Sequence, residues 1–294
     1  MLMAQYEAPL DASHLDGALR LSIAAQWNQN ARDWRYMLEA GYGWGLFGSD
    51  GELRATTIAL PYAGKPAFTW ISMVLVLPEY RRDGYATRLL QQAKNAIRDT
   101  GSIAQLDATP AGHAVYRRHG FIDGWTFTRW QRAAQPPSAR PREAAGHPLP
   151  GAEIRALTVR DWPAIATLDR NAFGGDRLAL LRSLQSREPA LAHVALRGSR
   201  MVGFVFGRDG RNAMQIGPLV FEDAAVGRVL LERAVAATSG PVFADAPDVQ
   251  RPIVDALESL GFSQQRPFTR MVLGPTPVAG NATLVGLVAG PELG

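Results

Sequence analysis

One corner of the chain gathers residues that could hold an anion. The apolar run Val74-Leu75-Val76-Leu77-Pro78 leads into Glu79-Tyr80-Arg81-Arg82-Asp83-Gly84-Tyr85-Ala86-Thr87. A strand that enters a helix through a glycine-marked turn brings free backbone N–H groups and the positive end of the helix dipole to one point. Glycine lets a phosphate approach the backbone, and Arg81 and Arg82 would add charge-assisted contacts. The spacing has neither the Gly-Lys-Ser/Thr end of a Walker loop nor the pattern G-x-G-x-x-G. Taken alone, the corner fits an exposed basic turn equally well. A second corner, Glu222-Asp223-Ala224-Ala225, repeats the setting with the charge reversed.

The elements around both corners repeat. Leu89-Leu90 corresponds to Leu230-Leu231, Gly120-Phe121 to Gly261-Phe262, and Phe127-Thr128-Arg129 to Phe268-Thr269-Arg270, all at one offset of 141 positions. Three matches in one register predict two halves with a shared fold. Residues 131–150 carry five prolines and no apolar periodicity, which is linker composition. The division that follows is 1–132, a linker at 133–151, and 152–294. Each half reads as mixed α/β. In the first, 15–27 and 31–40 have helical spacing, with Asn30 as N-cap of the second. Ser49-Asp50-Gly51 predicts a hairpin between two strands. Residues 67–77 form a strand too apolar to alternate, so both faces are covered. The helix 85–100 ends near Gly101, a strand covers 103–109, and a short helix closes at Gly120 in a C′ position before the last strand at 125–131.

Bulk properties narrow the classes. The 294 residues suffice for two modest cores, and no apolar run reaches the ~18 residues of a membrane span. There is no cysteine, which excludes disulfides and thiol chemistry and fits a cytoplasmic protein. The net charge is +4, but the arginines are scattered among acids, so neither nucleic acid nor a membrane surface is expected as partner.

Arg-x-x-Gly-x-Ala after the strand, with Tyr-x-x-x-Gly-Phe some thirty residues on, resembles the GNAT superfamily of acetyl-CoA-dependent N-acetyltransferases over roughly residues 5–131. The resemblance implies an α/β (α+β) fold of two tandem GNAT-like domains, each a mixed, mostly antiparallel twisted sheet flanked by helices. It implies acetyl-CoA as co-substrate, held at Arg81, Arg82, Gly84, Tyr85, Ala86 and Thr87 and along the backbone of Val74, Leu75 and Val76, with no metal. Many members carry Asn seven residues before the tyrosine; this chain has Thr109 there. Direct transfer needs a neutral amine, donors for the developing oxyanion and a proton for the departing thiolate. The family assigns that proton to the tyrosine, here Tyr116, whose ordinary pKa of ~10 keeps it protonated at neutral pH. The N–H of Val76 is the matching oxyanion donor. For the base, Asp107 and His113 are candidates, although Asp107 could instead cap the turn at 108–110 and His113 lie on the surface. The acceptor, a primary amine of a small molecule or peptide, is expected near Trp27, Asn28, Trp34 and Trp70, with Gln29, Asp33 and Glu39 as polar neighbours; the tryptophans have core packing as their alternative.

At the same offset, Arg81 and Arg82 become Glu222 and Asp223, Gly84 becomes Ala225, and Tyr116 becomes Leu257. The second half therefore reads as a degenerate copy that keeps the fold, with Glu222 and Asp223 suited to a helix N-terminus. Arg177, Arg208 and Arg211 would be solvated loop residues or bind an anionic ligand, and 280–294 would be a final strand. Covering the acceptor cleft, binding an effector and forming a homodimer are the roles open to this half. The rivals to an acetyltransferase are a non-catalytic CoA sensor and an acyltransferase that uses a longer acyl-CoA.

Overall fold

Local chemistry sets the element ends. Asn30 caps its helix by accepting from the N–H groups of Arg32 and Asp33, while the Asp33 carboxylate returns to the Asn30 N–H. Gly51, Gly101 and Gly120 all adopt positive φ, at the hairpin and just past two helix ends, as the sequence predicts. The computed structural model describes residues 5–134, 149 and 151–294, so most of the Pro-rich 133–151 segment lies outside the described residues. The first half runs β1 (Tyr6–Leu10), α1 (Leu15–Ala24), α2 (Ala31–Ala40), β2 (Tyr42–Phe47), β3 (Leu53–Gly64), β4 (Phe68–Val76), α3 (Tyr85–Asp99), β5 (Ile103–Ala108), α4 (Pro110–Arg118) and β6 (Phe121–Arg132). The second runs β7 (Glu153–Ala156), α5 (Trp162–Phe173), β8 (Gly175–Asp176), α6 (Leu178–Arg187), β9 (His193–Arg197), β10 (Arg200–Arg208), β11 (Met214–Phe221), α7 (Ala224–Ala236), β12 (Val242–Pro247), α8 (Arg251–Ser259), β13 (Ser263–Leu273) and β14 (Val285–Leu287). Among the described residues no helix is long and apolar enough to cross a membrane.

One continuous sheet passes through both halves in the order β1-β2-β3-β4-β5-β13-β6-β12-β11-β10-β9-β7. Among the described residues only β4–β5 and β11–β12 are parallel pairs. The order shows an exchange: β13 of the second half lies against β5 of the first, and β6 of the first half against β12 of the second. The two exchanged strands pair antiparallel across a pseudo-twofold axis, where Phe127 faces Phe268 with rings stacked 4.9 Å apart.

The repeated Phe-Thr-Arg tripeptide sits on that axis for an electrostatic reason. Arg270 on β13 holds Asp107 on β5 through two hydrogen bonds of 2.9 and 3.0 Å. Its counterpart Arg129 on β6 holds Asp245 on β12 through two of 2.7 Å. Each half thus supplies the arginine that neutralises a buried carboxylate of the other. An ion pair this deep loses much of its worth to desolvation, but removing one partner leaves an uncompensated charge.

The chain end is not the extended final strand the sequence suggests. Only Val285–Leu287 form strand, paired to β11, and Val288 N–H then donates to the Asp245 carbonyl on β12. The tail goes on into the first half, where the Pro291 carbonyl accepts from Trp70 Nε1 at 2.9 Å and the Leu293 carbonyl from the Tyr62 hydroxyl at 2.8 Å.

Candidate active site

β4 and β5 run together only from Phe68/Ile103 to Trp70/Gln105 and then separate. Beyond that point one edge of β4 is left without a strand partner. Leu77 N–H donates to the Arg54 carbonyl and Leu75 stands opposite Thr56, so Leu75 turns its backbone groups toward β3. By alternation the backbone groups of Val74 and Val76 point into the gap between β4 and β5. The Val76 carbonyl indeed accepts from Arg81 Nε at 3.3 Å. Of the three residues expected to line a pantetheine arm, Leu75 therefore acts only as a spacer.

The strand leaves through a short 3-10 turn, Pro78–Tyr80, and α3 begins at Tyr85 with Gly84 as its N-cap. Gly84 has φ +79 and open space where a Cβ would stand, so the position is demanding in conformation and unobstructed for an approaching ligand. Arg81, Arg82 and Thr87 are exposed and Ala86 is half-buried. Tyr85 is different. Its ring is buried beside Tyr80, and its hydroxyl accepts from the Gln5 amide. Only its backbone N–H, in the first helical turn, remains available to a ligand.

Next to the gap lies a partly open cavity of about 40 Å³. Met73 and Val74 of β4 line it, with Asp107 and Thr109 at the end of β5 and Tyr116 on α4. Tyr116 is half-buried, and its hydroxyl has no hydrogen-bond partner among the described residues. Burial pushes the phenol up to about 12. Thr109 accepts from Gly112 N–H and so caps α4, the job the sequence left open to Asp107. Asp107 is buried, with both oxygens on Arg270; burial pushes its carboxyl up to about 6 against the pull of that arginine. His113 lies outside the cavity, 2.9 Å from Asp123.

The residues expected around the acceptor divide. Trp27 and Gln29 line the cavity. Trp34 and Trp70 do not: both are wholly buried, with Trp34 Nε1 on the Ser22 hydroxyl and Trp70 Nε1 on the tail. Asn28 is spent on the contact between halves, bonding the Ala213 carbonyl and the N–H groups of Asn212 and Ala213. Asp33 lies 2.7 Å from both Arg187 and Arg208. Of the arginines read as loop residues, Arg177 and Arg208 are buried, whereas Arg211 stays on the surface. Arg177 holds Asp169 and the Gly294 carbonyl, Arg208 holds Asp33 and Glu292, and Arg211 holds the Trp27 carbonyl.

Beyond β4, five cavity residues were not expected: Arg129, Arg266, Phe268, Pro291 and Glu292. Four of them come from the second half. Arg266, on β13, has no carboxylate within 4.0 Å among the described residues, and burial brings its guanidinium down to about 10. The repeated tripeptide marks β13 and β6 as a pair. Nothing in the sequence reports their exchange, and that exchange is what carries Arg266 and Phe268 to the first half's cavity.

In the second half the same fold is closed. β11 and β12 pair from Met214/Val242 to Ile216/Ala244, after which β14 enters between them. Gly217, at φ +145, permits the close passage: a Cβ there would stand 2.0 Å from the Val288 carbonyl oxygen. The turn to α7 is short, and Asp223 caps the helix by accepting from Val226 N–H, while Glu222 pairs with Arg200.

Two parallel-strand splays, each followed by a turn and a helix, define a pair of acetyltransferase-type folds. The model of the Acetyltransferase (GNAT) family matches residues 12–121 and that of the Acetyltransferase (GNAT) domain residues 165–286. The chain belongs to the GNAT acetyltransferases and is a tandem member, an acyltransferase whose fold implies use of acyl-CoA; GNAT acyltransferases in general act on amine acceptors. YitH of Bacillus subtilis, named as an uncharacterised N-acetyltransferase, is 24% identical over 86% of each chain. The holothin acyltransferase of a Pseudoalteromonas species is 25% identical over 77% of this chain and 74% of its own. Among solved structures, a putative acetyltransferase of Pyrococcus horikoshii superposes with TM-score 0.78 at 19% identity, covering 99% of this chain and 96% of its own. A tandem GNAT protein from the clavulanic acid biosynthesis pathway gives 0.68 at 15% identity, covering 93% and 100%.

Proposed function

We propose that the first half moves an acetyl group from acetyl-CoA directly to a primary amine of a small molecule or peptide. The observation that carries this reading is the free Tyr116 hydroxyl on a cavity beside the unpaired edge of β4. The residues present fit an acyl-CoA. The first-turn amides of α3 with Arg81 and Arg82 suit a pyrophosphate. The outward N–H of Val74 and Val76 suits an amide-containing arm and a developing oxyanion. The side chains of Ile71, Met73 and Val74 on the cavity wall favour a small acyl group over a long one.

In the reaction so proposed, the acceptor nitrogen, once deprotonated, forms its bond to the thioester carbon and the C–S bond breaks. Tyr116 gives its proton to the sulfur and regains one from solvent. The proton the acceptor sheds also passes to solvent, because both Asp107 oxygens are occupied by Arg270. Asp107 thus fits the clamp better than the base.

Calorimetric titration of acetyl-CoA into the intact chain and into Arg81→Glu/Arg82→Asp tests the reading. We expect one site in the wild type, weakened about 10- to 100-fold by the charge reversal. Two sites, or none, would overturn it.

A further inference from the structure

Four residues that line the cavity each carry a buried polar atom with no hydrogen-bond partner among the described residues: Gln29 Oε1, Ser72 Oγ, Glu292 Oε2 and Arg266 Nε. Buried polar groups are normally satisfied, so four orphans on one small cavity describe the ligand that would satisfy them. Three can accept: the amide oxygen, the hydroxyl and the free carboxylate oxygen. An ammonium brings three donors. The fourth is a guanidinium, which can only donate, and a carboxylate or carbonyl oxygen is its complement. The other arginine on the cavity, Arg129, is already neutralised by Asp245, so the demand for an anion is confined to Arg266.

We infer that the acceptor is an α-amino acid, or a molecule ending in the same head, with its amine among Gln29, Ser72 and Glu292 and its adjoining oxygens on Arg266. An amine without those oxygens leaves Arg266 unmatched; an acid without the amine leaves Glu292 unmatched. Trp27, also on the cavity, offers an apolar wall to the rest of the molecule. This inference deepens the acetyltransferase reading and depends on it for the reaction, though not for binding. It also gives the second half a part in the site, since Arg266 and Glu292 both belong to it.

The test is a panel of the common L-α-amino acids, their amides and the corresponding decarboxylated amines. Each is offered to the full-length protein in calorimetric binding and, with acetyl-CoA, in initial-rate assays. The variants are Arg266→Gln, Arg266→Lys and Glu292→Gln, each checked for a wild-type melting profile. We expect amino acids and amides to exceed their decarboxylated counterparts by about 10- to 100-fold. Arg266→Gln should erase that preference, Arg266→Lys restore part of it, and Glu292→Gln weaken every amine. Equal use of both classes by the wild type, a preference that survives in Arg266→Gln, or binding of no member of the panel would overturn the inference. Amino-acid binding that depends on Arg266 in a protein that fails to bind acetyl-CoA would sustain it and remove the donor reading. Acetyl transfer without the preference would do the reverse.

Discussion

The two halves diverge most where their parallel strands separate. In the first, the gap between β4 and β5 stays open on a strand edge, a basic glycine turn and a free phenol. In the second, the corresponding gap between β11 and β12 is filled by the chain's own β14, the turn is shortened, and an aspartate caps the helix. One fold can therefore present a site or bury it, depending on what completes the backbone pairing of two splayed strands. The same tail does both. It seals the second splay with residues 285–288 and then carries Glu292 to the first half's cavity.

The largest effect should come from the one side chain that the second half lacks altogether. Tyr116→Phe keeps the ring and removes the proton, and Leu257 stands at the matching sequence position in the second half. We expect kcat to fall about 10²- to 10⁴-fold with acetyl-CoA affinity unchanged in calorimetry. A variant that keeps full kcat would place the proton donor elsewhere and make the two halves less different than they look.

The pseudo-symmetric clamps sharpen the comparison from the other side, because here the halves are alike. Arg129→Leu and Arg270→Leu each strand a buried aspartate. Each should lower stability by about 3–5 kcal/mol in chemical denaturation followed by tryptophan fluorescence. Since β6 and β13 each complete the other half's sheet, both variants and the wild type should unfold in one transition. Two separated transitions would show that the halves fold independently despite the exchange.

A smaller change would disturb the filled splay alone. Gly217→Ala places a Cβ against the Val288 carbonyl at a backbone angle that favours glycine. We expect a loss of about 1–3 kcal/mol, in the range of overpacked cores. The displaced tail should raise KM for the amine and leave acetyl-CoA binding intact. If KM for the amine does not move, the tail only seals the second half.

Much of this was legible in the sequence, and the limits have physical causes. Helix caps, C′ glycines and the hairpin depend on residues a few positions apart, so Asn30, Gly51 and Gly120 announced them. The corner also announced itself, because Gly84 and the adjoining arginines belong to one turn. The repeat was visible, but which neighbours β6 and β13 choose is decided by pairing between segments more than a hundred residues apart. The arginine at 208 looked like a loop charge because its carboxylate partner is remote: Glu292 lies 84 residues from Arg208. Trp34 and Trp70 could be read as core or as acceptor site, with the core preferred for either alone, and their burial agrees with the core. Glu292 sits in a tail of glycines and a proline with no motif around it, and only the path of that tail gives it meaning.

The pH profile offers the smallest change and a fine discrimination between Tyr116 and Asp107. A proton donor works below its pKa and fails as pH rises through it. With burial holding the phenol near 12, kcat for the wild type should show no falling limb between pH 9 and 11, where an ordinary phenol at ~10 would already be half ionised. A carboxylate base works the other way, gaining activity as pH rises through its pKa. Asp107, held up to about 6 by burial, would give a rising limb there if it took the amine's proton. Because Arg270 occupies both its oxygens, we expect no such limb, and a rise set instead by the acceptor's own ammonium group. A break near pH 6 that is the same for acceptors of different basicity would return Asp107 to the chemistry. It would then set the halves apart by a second residue, since Asp245, clamped by Arg129 in the same manner, faces a splay already closed by the tail.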